Sequence, residues 1–225
     1  LSRRRRFREP VMGLFITFEG PDGSGKSTQI ELVAARLQQL GYQVYQTREP
    51  GGTSIGNQIR DILHDINNTD MTARAEILLY SASRAQLVEQ VILPRLARGE
   101  VVLCDRYADS TFAYQGYGRQ LDFDTLRLIT RFATQALVPN LTIYLDLAVE
   151  EGLQRKERAS FSGAGEWNRM DRLELEFHRR VRAGYLEMAR AEPERWLVVE
   201  ATASVEAINR QICERLKQVL APAGP

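Results

Sequence analysis

One segment limits the possible folds of this chain more than any other, the glycine-rich turn GPDGSGKS at residues 20–27. It fits the pattern GxxxxGK(S/T) and lies between an apolar run at 14–18 and a helix-like stretch at 27–40. Glycine adopts backbone angles that other residues resist, so successive N–H groups can point at one anion. A plain glycine-rich loop with a surface lysine is the alternative, and the flanking runs argue against it. A strand, such a turn and a helix predict a phosphate-binding P-loop.

The predicted P-loop offers a full set of groups for a nucleoside triphosphate. Lys26 is expected to reach the outer phosphates, and the Ser27 hydroxyl is expected to bind magnesium. The start of the following helix adds the positive end of its dipole. The residues predicted to bind the triphosphate are Gly20, Pro21, Asp22, Gly23, Ser24, Gly25, Lys26, Ser27 and Thr28.

Apolar runs alternate with helical periodicity along the chain, which is typical of a parallel sheet with helices on both faces. The runs lack polar alternation, so we expect strands that are buried on both sides. The fold class is therefore predicted to be α/β, a P-loop NTPase-type parallel five-stranded sheet. The predicted strands are residues 14–18, 43–47, 101–104, 142–147 and 196–199. The predicted helices include 27–40, 72–98, 125–137 and a last one that begins after the N-cap Ser204.

The length of 225 residues suits one α/β domain. We place it at residues 12–221, with a tail at 222–225 and a loop-like, Gly- and Ser-rich insertion at 159–168. A hydrophobic content of 44% and a charged content of 26% are ordinary for a soluble globular protein. No apolar run approaches membrane-spanning length, so no membrane partner is expected.

The first 11 residues hold five arginines and one glutamate, a net charge of +4, so the rest carries −3 of the total of +1. That balance does not predict a nucleic-acid partner. The basic leader could be a nucleic-acid arm, a transit peptide or a translated extension before a start at Met12. We favour the extension, because strand one begins two residues after Met12 and a transit peptide would be longer and richer in serine. We expect the leader to be disordered and dispensable.

The two cysteines, Cys104 and Cys213, match no metal-ligand spacing. They indicate reduced thiols in a cytoplasmic protein. The two histidines, His64 and His178, have no nucleophile or metal partner at a recognised spacing, so we interpret both as structural.

Three further segments resemble the bacterial thymidylate kinase family. They are REPGGT at residues 48–53, SRAQ at 83–86 and DRYADSTFAYQGYGR at 105–119. With the FEG that opens the P-loop, the resemblance extends from residue 12 to about residue 220. It implies a nucleoside monophosphate kinase that transfers the γ-phosphoryl group of ATP, with Mg²⁺, to the 5′-phosphate of dTMP in dTTP biosynthesis. It also implies a homodimer, with the long helix at 72–98 as a candidate interface.

The resemblance assigns the acceptor nucleotide to groups that suit its chemistry. Arg48 and Arg106 would clamp the acceptor phosphate, because guanidinium forks match phosphate oxygens. Tyr80, where the family usually has Phe, would stack on the base, and Arg84 one turn later would bond to a thymine carbonyl. The implied substrate-binding residues are Arg48, Tyr80, Arg84, Arg106, Ser110, Thr111, Tyr114 and Gln115. Of these, Thr111 and Gln115 would read thymine N3 and O4, and Tyr114 would crowd the 2′ position of a ribonucleotide.

The resemblance also implies a magnesium site and a mobile lid at about 155–170. Ser27 and Asp105 would hold the metal, although Asp105 could instead cap a helix or pair with an arginine. The P-loop interior has no basic residue, so a lid arginine would offset the charge of the migrating phosphoryl group. The candidates for that arginine are Arg155, Arg158 and Arg169. The implied catalytic residues are Lys26, Arg106, Arg158 and Asp22.

Three other functions remain open at this stage, and the first is a kinase for another nucleoside monophosphate. A deoxynucleoside kinase needs a carboxylate base for a neutral 5′-hydroxyl, and Glu49 could serve, unless it simply pairs with Arg48. A nucleotide-sensing module could keep the P-loop and lack catalysis. The arginines of REPGGT and of the segment at 105–119 argue against the deoxynucleoside kinase and the sensing module, because they suit an acceptor that already carries a phosphate.

Overall fold

The computed structural model describes residues 13–161 and 168–220. The predicted basic leader and C-terminal tail lie outside the described residues, as does the middle of the predicted lid. No helix in the described part of the chain is both long enough and apolar enough to cross a membrane.

The described residues form one five-stranded parallel sheet with the strand order β2-β3-β1-β4-β5. The predicted fold class is confirmed, and every predicted strand lies within one residue of the observed one at either end. Strand β1 occupies the centre of the sheet, where the P-loop follows it. The strands are β1 Phe15–Glu19, β2 Val44–Arg48, β3 Val101–Asp105, β4 Leu141–Asp146 and β5 Trp196–Glu200.

The prediction that all strands are buried on both sides is wrong for the two edges of the sheet. Strand β1 is completely buried, whereas β2 has only half-buried and exposed residues, and β5 has buried, half-buried and exposed residues. An edge strand has a neighbour on one side only, so solvent reaches part of its surface. Short apolar runs therefore did not distinguish central strands from edge strands.

Helices cover both faces of the sheet, as predicted. They are α1 Lys26–Gln39, α2 Ser54–His64, α3 Ala73–Leu87, α4 Leu93–Ala97, α5 Ala108–Thr111, α6 Phe123–Thr134, α7 Val149–Phe161, α8 Leu175–Ala191 and α9 Val205–Leu220. Ile16 and Phe18 pack with residues of α1 and α9. Phe15, on the other face of the same strand, packs with Leu87 and Ile92. This alternation is what a strand buried between two helical layers requires.

The long helix predicted at 72–98 is correct in its limits and wrong in its regularity. Thr72 caps its start by accepting a hydrogen bond from the Ala75 N–H at 3.2 Å. Between α3 and α4 the chain widens into a π-helical turn at Val88–Ile92, just before Pro94. Proline has no N–H to donate to the preceding turn, so regular α-helical bonding is interrupted there.

Two predicted boundaries move. The helix predicted at 125–137 is α6, which begins earlier because Asp122 caps it and ends at Thr134 because Gln135 and Ala136 adopt positive φ angles of 52° and 61°. The insertion predicted as a loop at 159–168 is helical at its start, because α7 continues to Phe161.

Candidate functional site

A cavity of about 420 Å³ opens at the carboxyl ends of the central strands. Parallel strands bring the residues that follow them to one edge of the sheet, so chain segments far apart in sequence meet there. Most of the predicted site residues line this cavity, namely Pro21, Asp22, Ser27, Arg48, Tyr80, Arg84, Asp105, Arg106, Ser110, Thr111, Tyr114 and Gln115. The structure therefore brings together the P-loop and the groups predicted to bind the acceptor.

The remaining P-loop residues form the turn itself and, with Lys26 and Thr28, the first turn of α1. Gly20 has a φ of 140°, and a Cβ atom there would lie 2.6 Å from the carbonyl oxygen of Leu145. Gly25 has a φ of 90° and stands at the N-cap of α1. The ammonium group of Lys26 is buried and donates to the carbonyl oxygens of Gly20 and Pro21, each at 3.1 Å. The lysine thus lies along the rim of the turn, where the motif predicts phosphate oxygens to bind.

Asp22 is the centre of a cluster of positive charges. Its carboxylate accepts a hydrogen bond from Nη2 of Arg106 at 2.8 Å and also pairs with Lys156. The Nζ atom of Lys26 lies 3.6 Å away. Burial alone would raise the pKa of Asp22, but Arg106, Lys26 and Lys156 together hold it well below its usual range. Asp22 is therefore ionised, and several cations converge on the place where phosphate groups are predicted to lie.

Arg106 is held in an unusual backbone conformation. Its φ angle is 67°, in the left-handed region that non-glycine residues rarely adopt. The backbone N–H of Arg106 donates to the carbonyl of Phe18 at 2.8 Å, which ties the residue to the end of β1. Within the described part of the chain its buried Nη1 atom has no hydrogen-bond partner. Strain together with an unpaired buried donor is typical of a residue arranged for a ligand.

The opposite wall of the cavity is built around Arg84. This fully buried guanidinium donates from Nε to Glu49 at 2.7 Å and from Nη1 to the hydroxyl of Thr111 at 2.7 Å. Glu49 thus pairs with Arg84. The pairing of Glu49 with Arg48, which the sequence left open, is not formed in the described part of the chain. Burial is the largest influence on Glu49 and raises its pKa to about 7 despite the neighbouring guanidinium.

Two other predicted substrate-binding residues, Gln115 and Ser110, also have partners behind the cavity wall. Gln115 donates from Nε2 to the carboxylate of Glu76 at 2.9 Å. Ser110 donates to the buried carboxylate of Glu19 at 2.6 Å and contacts the hydroxyl of Tyr185 at 2.9 Å. The cavity therefore has a wall of fixed polar groups, each oriented by a buried charge or hydroxyl.

Comparison with known proteins gives the family of this fold and site. A family model described as thymidylate kinase matches residues 18–212. A thymidylate kinase of Roseiflexus sp. (strain RS-1) is 54% identical over 208 residues, which cover 89% of this chain and 92% of that protein. The corresponding protein of Deinococcus radiodurans is 50% identical over 200 residues, covering 89% and 94%. The chain belongs to the thymidylate kinase family.

A solved structure also supports membership of the thymidylate kinase family. The crystal structure of thymidylate kinase from Ehrlichia chaffeensis matches with a TM-score of 0.72 at 30% identity, covering 91% of this chain and 98% of that one. The predicted family resemblance and enzyme class are confirmed. The structure gives the positions of the individual site residues. Their roles stay predictions.

The groups predicted to hold magnesium meet at the cavity. Ser27 and Asp105 both line it, and the buried Oδ1 atom of Asp105 has no hydrogen-bond partner among the described residues. Those residues include no group of three or more His, Cys, Asp or Glu side chains that could hold a metal by themselves. A metal that binds with a nucleotide needs only one or two protein oxygens, since phosphates and water supply the rest. The residues present therefore fit such an ion.

In the described part of the chain, none of the three predicted lid arginines lines the cavity. Arg158 is exposed and borders a second cavity with Glu150 and Glu151. Arg155 donates from Nη1 to the carbonyl of Ala201 at 3.2 Å and to the P-loop carbonyl of Gly23 at 3.5 Å. Arg169 is buried and donates to Glu76 at 2.6 Å, so in this structure its guanidinium is engaged by that carboxylate. A role for Arg158 stays a prediction.

Sequence reasoning missed Lys156, the cation that α7 brings into the cavity. Lys156 lines the cavity and pairs with Asp22 of the P-loop and with Asp171 at 2.6 Å. The signal was present, since Lys156 directly follows Arg155 in the segment searched for a lid cation. The family resemblance implies an arginine in this segment, so the lysine was not predicted.

His64 lines the cavity and provides a test by pH. Burial, with help from Arg60, lowers its pKa to about 3, against an ordinary value of 6.5. Below pH 6.5 the imidazole of His64 therefore binds a proton in the unfolded chain but not in the folded chain. The free energy of unfolding consequently falls as the pH falls. We expect His64→Gln to reduce the loss of unfolding free energy between pH 7 and pH 5 by about 1–2 kcal/mol, as measured by urea denaturation. Equal losses in the two proteins would show that His64 is not held neutral.

Proposed function

We propose that this kinase transfers the γ-phosphoryl group of ATP to the 5′-phosphate of dTMP, giving dTDP and ADP on the route to dTTP. The observation that carries the proposal is the shared cavity, which joins the P-loop to Arg48, Arg106 and the polar wall around Arg84. Donor and acceptor are both anions in this reaction. Positive charge and alignment are therefore the main requirements, and this cavity provides the charge.

Different residues of the cavity would bind the phosphoryl donor and the acceptor. The P-loop backbone and Lys26 would bind the triphosphate, while Arg48 and Arg106 would hold the acceptor phosphate in line with it. No strong base is needed, because the attacking phosphate oxygen is already largely ionised near neutral pH. Asp22, kept ionised by its cationic neighbours, would orient Arg106 and accept from the sugar hydroxyl or from metal-bound water.

Magnesium would be held by Ser27 and Asp105, as predicted. When bound with ATP, the ion would offset negative charge between the phosphate groups. The unpaired buried oxygen of Asp105 supports this assignment, because a buried carboxylate oxygen without a partner is costly unless a ligand satisfies it.

The cavity wall around Arg84 would also recognise the base and select the sugar. Tyr80 would stack on thymine, and Arg84, Thr111 and Gln115 would read its polar edge. The guanidinium carbon of Arg106 lies 5.3 Å from the ring centre of Tyr114, so the tyrosine is fixed beside the acceptor phosphate clamp. A ring held there would clash with a ribose 2′-hydroxyl and favour deoxyribonucleotides.

A coupled ADP-release assay tests the function. Turnover with ATP and dTMP, but not with thymidine, is the expected result. Turnover with thymidine would instead favour a deoxynucleoside kinase, a possibility that the pKa of Glu49 near 7 keeps chemically reasonable. Binding of ATP without turnover would identify a sensing module.

We further propose a homodimer and a cytoplasmic location. The two cysteines of the chain, Cys104 and Cys213, are free thiols, which suits a reducing compartment. The helical layer formed by α2, α3 and α6 exposes large apolar side chains, which suits a subunit interface. These side chains are Ile55, Ile62, Leu78, Leu128 and Phe132.

Phe132→Arg is expected to convert the dimer into monomers. Phe132 is 87% exposed in the single chain, and a central aromatic anchor typically contributes about 2–4 kcal/mol to an interface. The dissociation constant should therefore rise by about 30-fold or more. Light scattering after size-exclusion chromatography measures the mass. Leu40→Arg, at a 53% exposed residue after α1, is the matched control and should stay dimeric. An unchanged mass for Phe132→Arg would place the interface elsewhere.

A further inference from the structure

Glu76 is a fully buried carboxylate directly behind the cavity wall. It belongs to α3, one turn before Tyr80, and no motif in the sequence singled it out. Its Oε1 atom accepts the hydrogen bond from Nε2 of Gln115 at 2.9 Å. Gln115 itself lines the cavity, so one side chain separates Glu76 from the predicted base site.

Two arginines keep this carboxylate ionised and in place. Arg169 donates to Oε2 of Glu76 at 2.6 Å, and Arg119 donates to the same oxygen at 2.9 Å. Arg169 is itself fixed by a bond from Nε to the carbonyl of Leu63 at 3.2 Å. Although burial opposes ionisation, the hydrogen bonds from Arg119, Gln115 and Arg169 lower the pKa of Glu76.

An ionised carboxylate can only accept hydrogen bonds, so it determines which end of the neighbouring amide faces it. Gln115 must turn its NH₂ group toward Glu76. Its carbonyl oxygen Oε1 has no partner among the described residues and belongs to a side chain that lines the cavity. The amide therefore offers the cavity a hydrogen-bond acceptor.

We propose that Glu76 is a positioning residue that locks the Gln115 amide with its carbonyl toward the base and so selects a pyrimidine with an N3–H donor. Thymine carries that donor, whereas N3 of cytosine is an acceptor and would face the carbonyl without a hydrogen bond. A reader of fixed polarity rejects the wrong base strongly, because the mismatch leaves buried groups unpaired. The inference rests on dTMP as the acceptor.

The test compares dTMP with dCMP in the intact enzyme and in Glu76→Gln. A neutral amide at residue 76 can accept or donate, so Gln115 becomes free to turn over. We expect the ratio of kcat/KM for dTMP to that for dCMP to fall at least 10-fold, mainly through KM for dTMP. In wild type, the Gln115 side-chain NH₂ signal should show a strong hydrogen bond by NMR, and Glu76→Gln should lose it.

Controls separate this role from simple stabilisation. Arg119→Gln removes a partner of the carboxylate but leaves the Glu76–Gln115 bond, so the substrate ratio should stay within about 3-fold of wild type. If Glu76→Gln fails to fold because Arg169 is left buried and unpaired, Glu76→Gln/Arg169→Gln restores the charge balance and gives the same readout. An unchanged ratio in the folded variant would overturn the inference, whereas absence of dTMP turnover in wild type would overturn the proposed function instead.

Discussion

Replacing Arg106 by alanine is expected to lower kcat/KM for dTMP by about 10³-fold while the dissociation constant for ATP changes less than about 3-fold. The guanidinium lies at the cavity, bonded to Asp22, and keeps a buried Nη1 donor without a partner in the described structure. That donor is available for an acceptor phosphate. Steady-state kinetics with dTMP varied at saturating ATP, together with ATP binding by calorimetry, measure the two effects.

Arg106→Lys is the matched control for charge. Lysine keeps the positive charge and lacks the planar fork, so it should recover only part of the lost kcat/KM. Asp22 retains Lys26 and Lys156 in both variants, so the P-loop should keep its shape and the melting temperature should change little. Equal loss of affinity for ATP and dTMP would mean that Arg106 supports the whole cavity and does not clamp the acceptor.

The sheet could be predicted almost residue by residue, for a physical reason. Strands buried in a parallel sheet are short apolar runs, and the intervening helices have clear periodicity, so β1 and β3 are visible in the sequence alone. The π-helical turns at Val88–Ile92 and Phe112–Gly118 were not predicted. Their wider hydrogen bonding leaves no distinct apolar period, and Pro94 was the one local signal.

The cavity residues were also predictable, but their partners were not. Arg48 ends β2 and Arg106 directly follows β3, its parallel neighbour, so the two had to meet at one edge of the sheet. The bonds of Arg84 to Glu49 and of Gln115 to Glu76 join residues 35 and 39 positions apart, which no local pattern specifies. Such pairings depend on how helices pack on the finished sheet.

Lys156→Met is expected to destabilise the folded enzyme by about 3 kcal/mol, because it leaves the buried carboxylate of Asp171 without its cation. Lys156 is 7% exposed and Asp171 is 8% exposed, so this pair accounts for most of the effect. Asp22 is 39% exposed and keeps Arg106 and Lys26, so it should contribute less. For a domain of this size the melting temperature should fall by about 6–12 °C. Urea denaturation and calorimetry measure both quantities.

A double-mutant cycle with Asp171→Asn distinguishes the pair from general damage to α7. The loss of stability in Lys156→Met can be traced to the carboxylate of Asp171 by removing that charge as well. If the uncompensated carboxylate causes the loss, Lys156→Met/Asp171→Asn should be more stable than Lys156→Met alone. The kcat of the double variant should remain about 10-fold or more below that of wild type, because the cavity still lacks the positive charge beside Asp22. Additive losses of stability in the double variant would refute the buried pair, and full recovery of kcat would show that Lys156 holds the fold without assisting phosphoryl transfer.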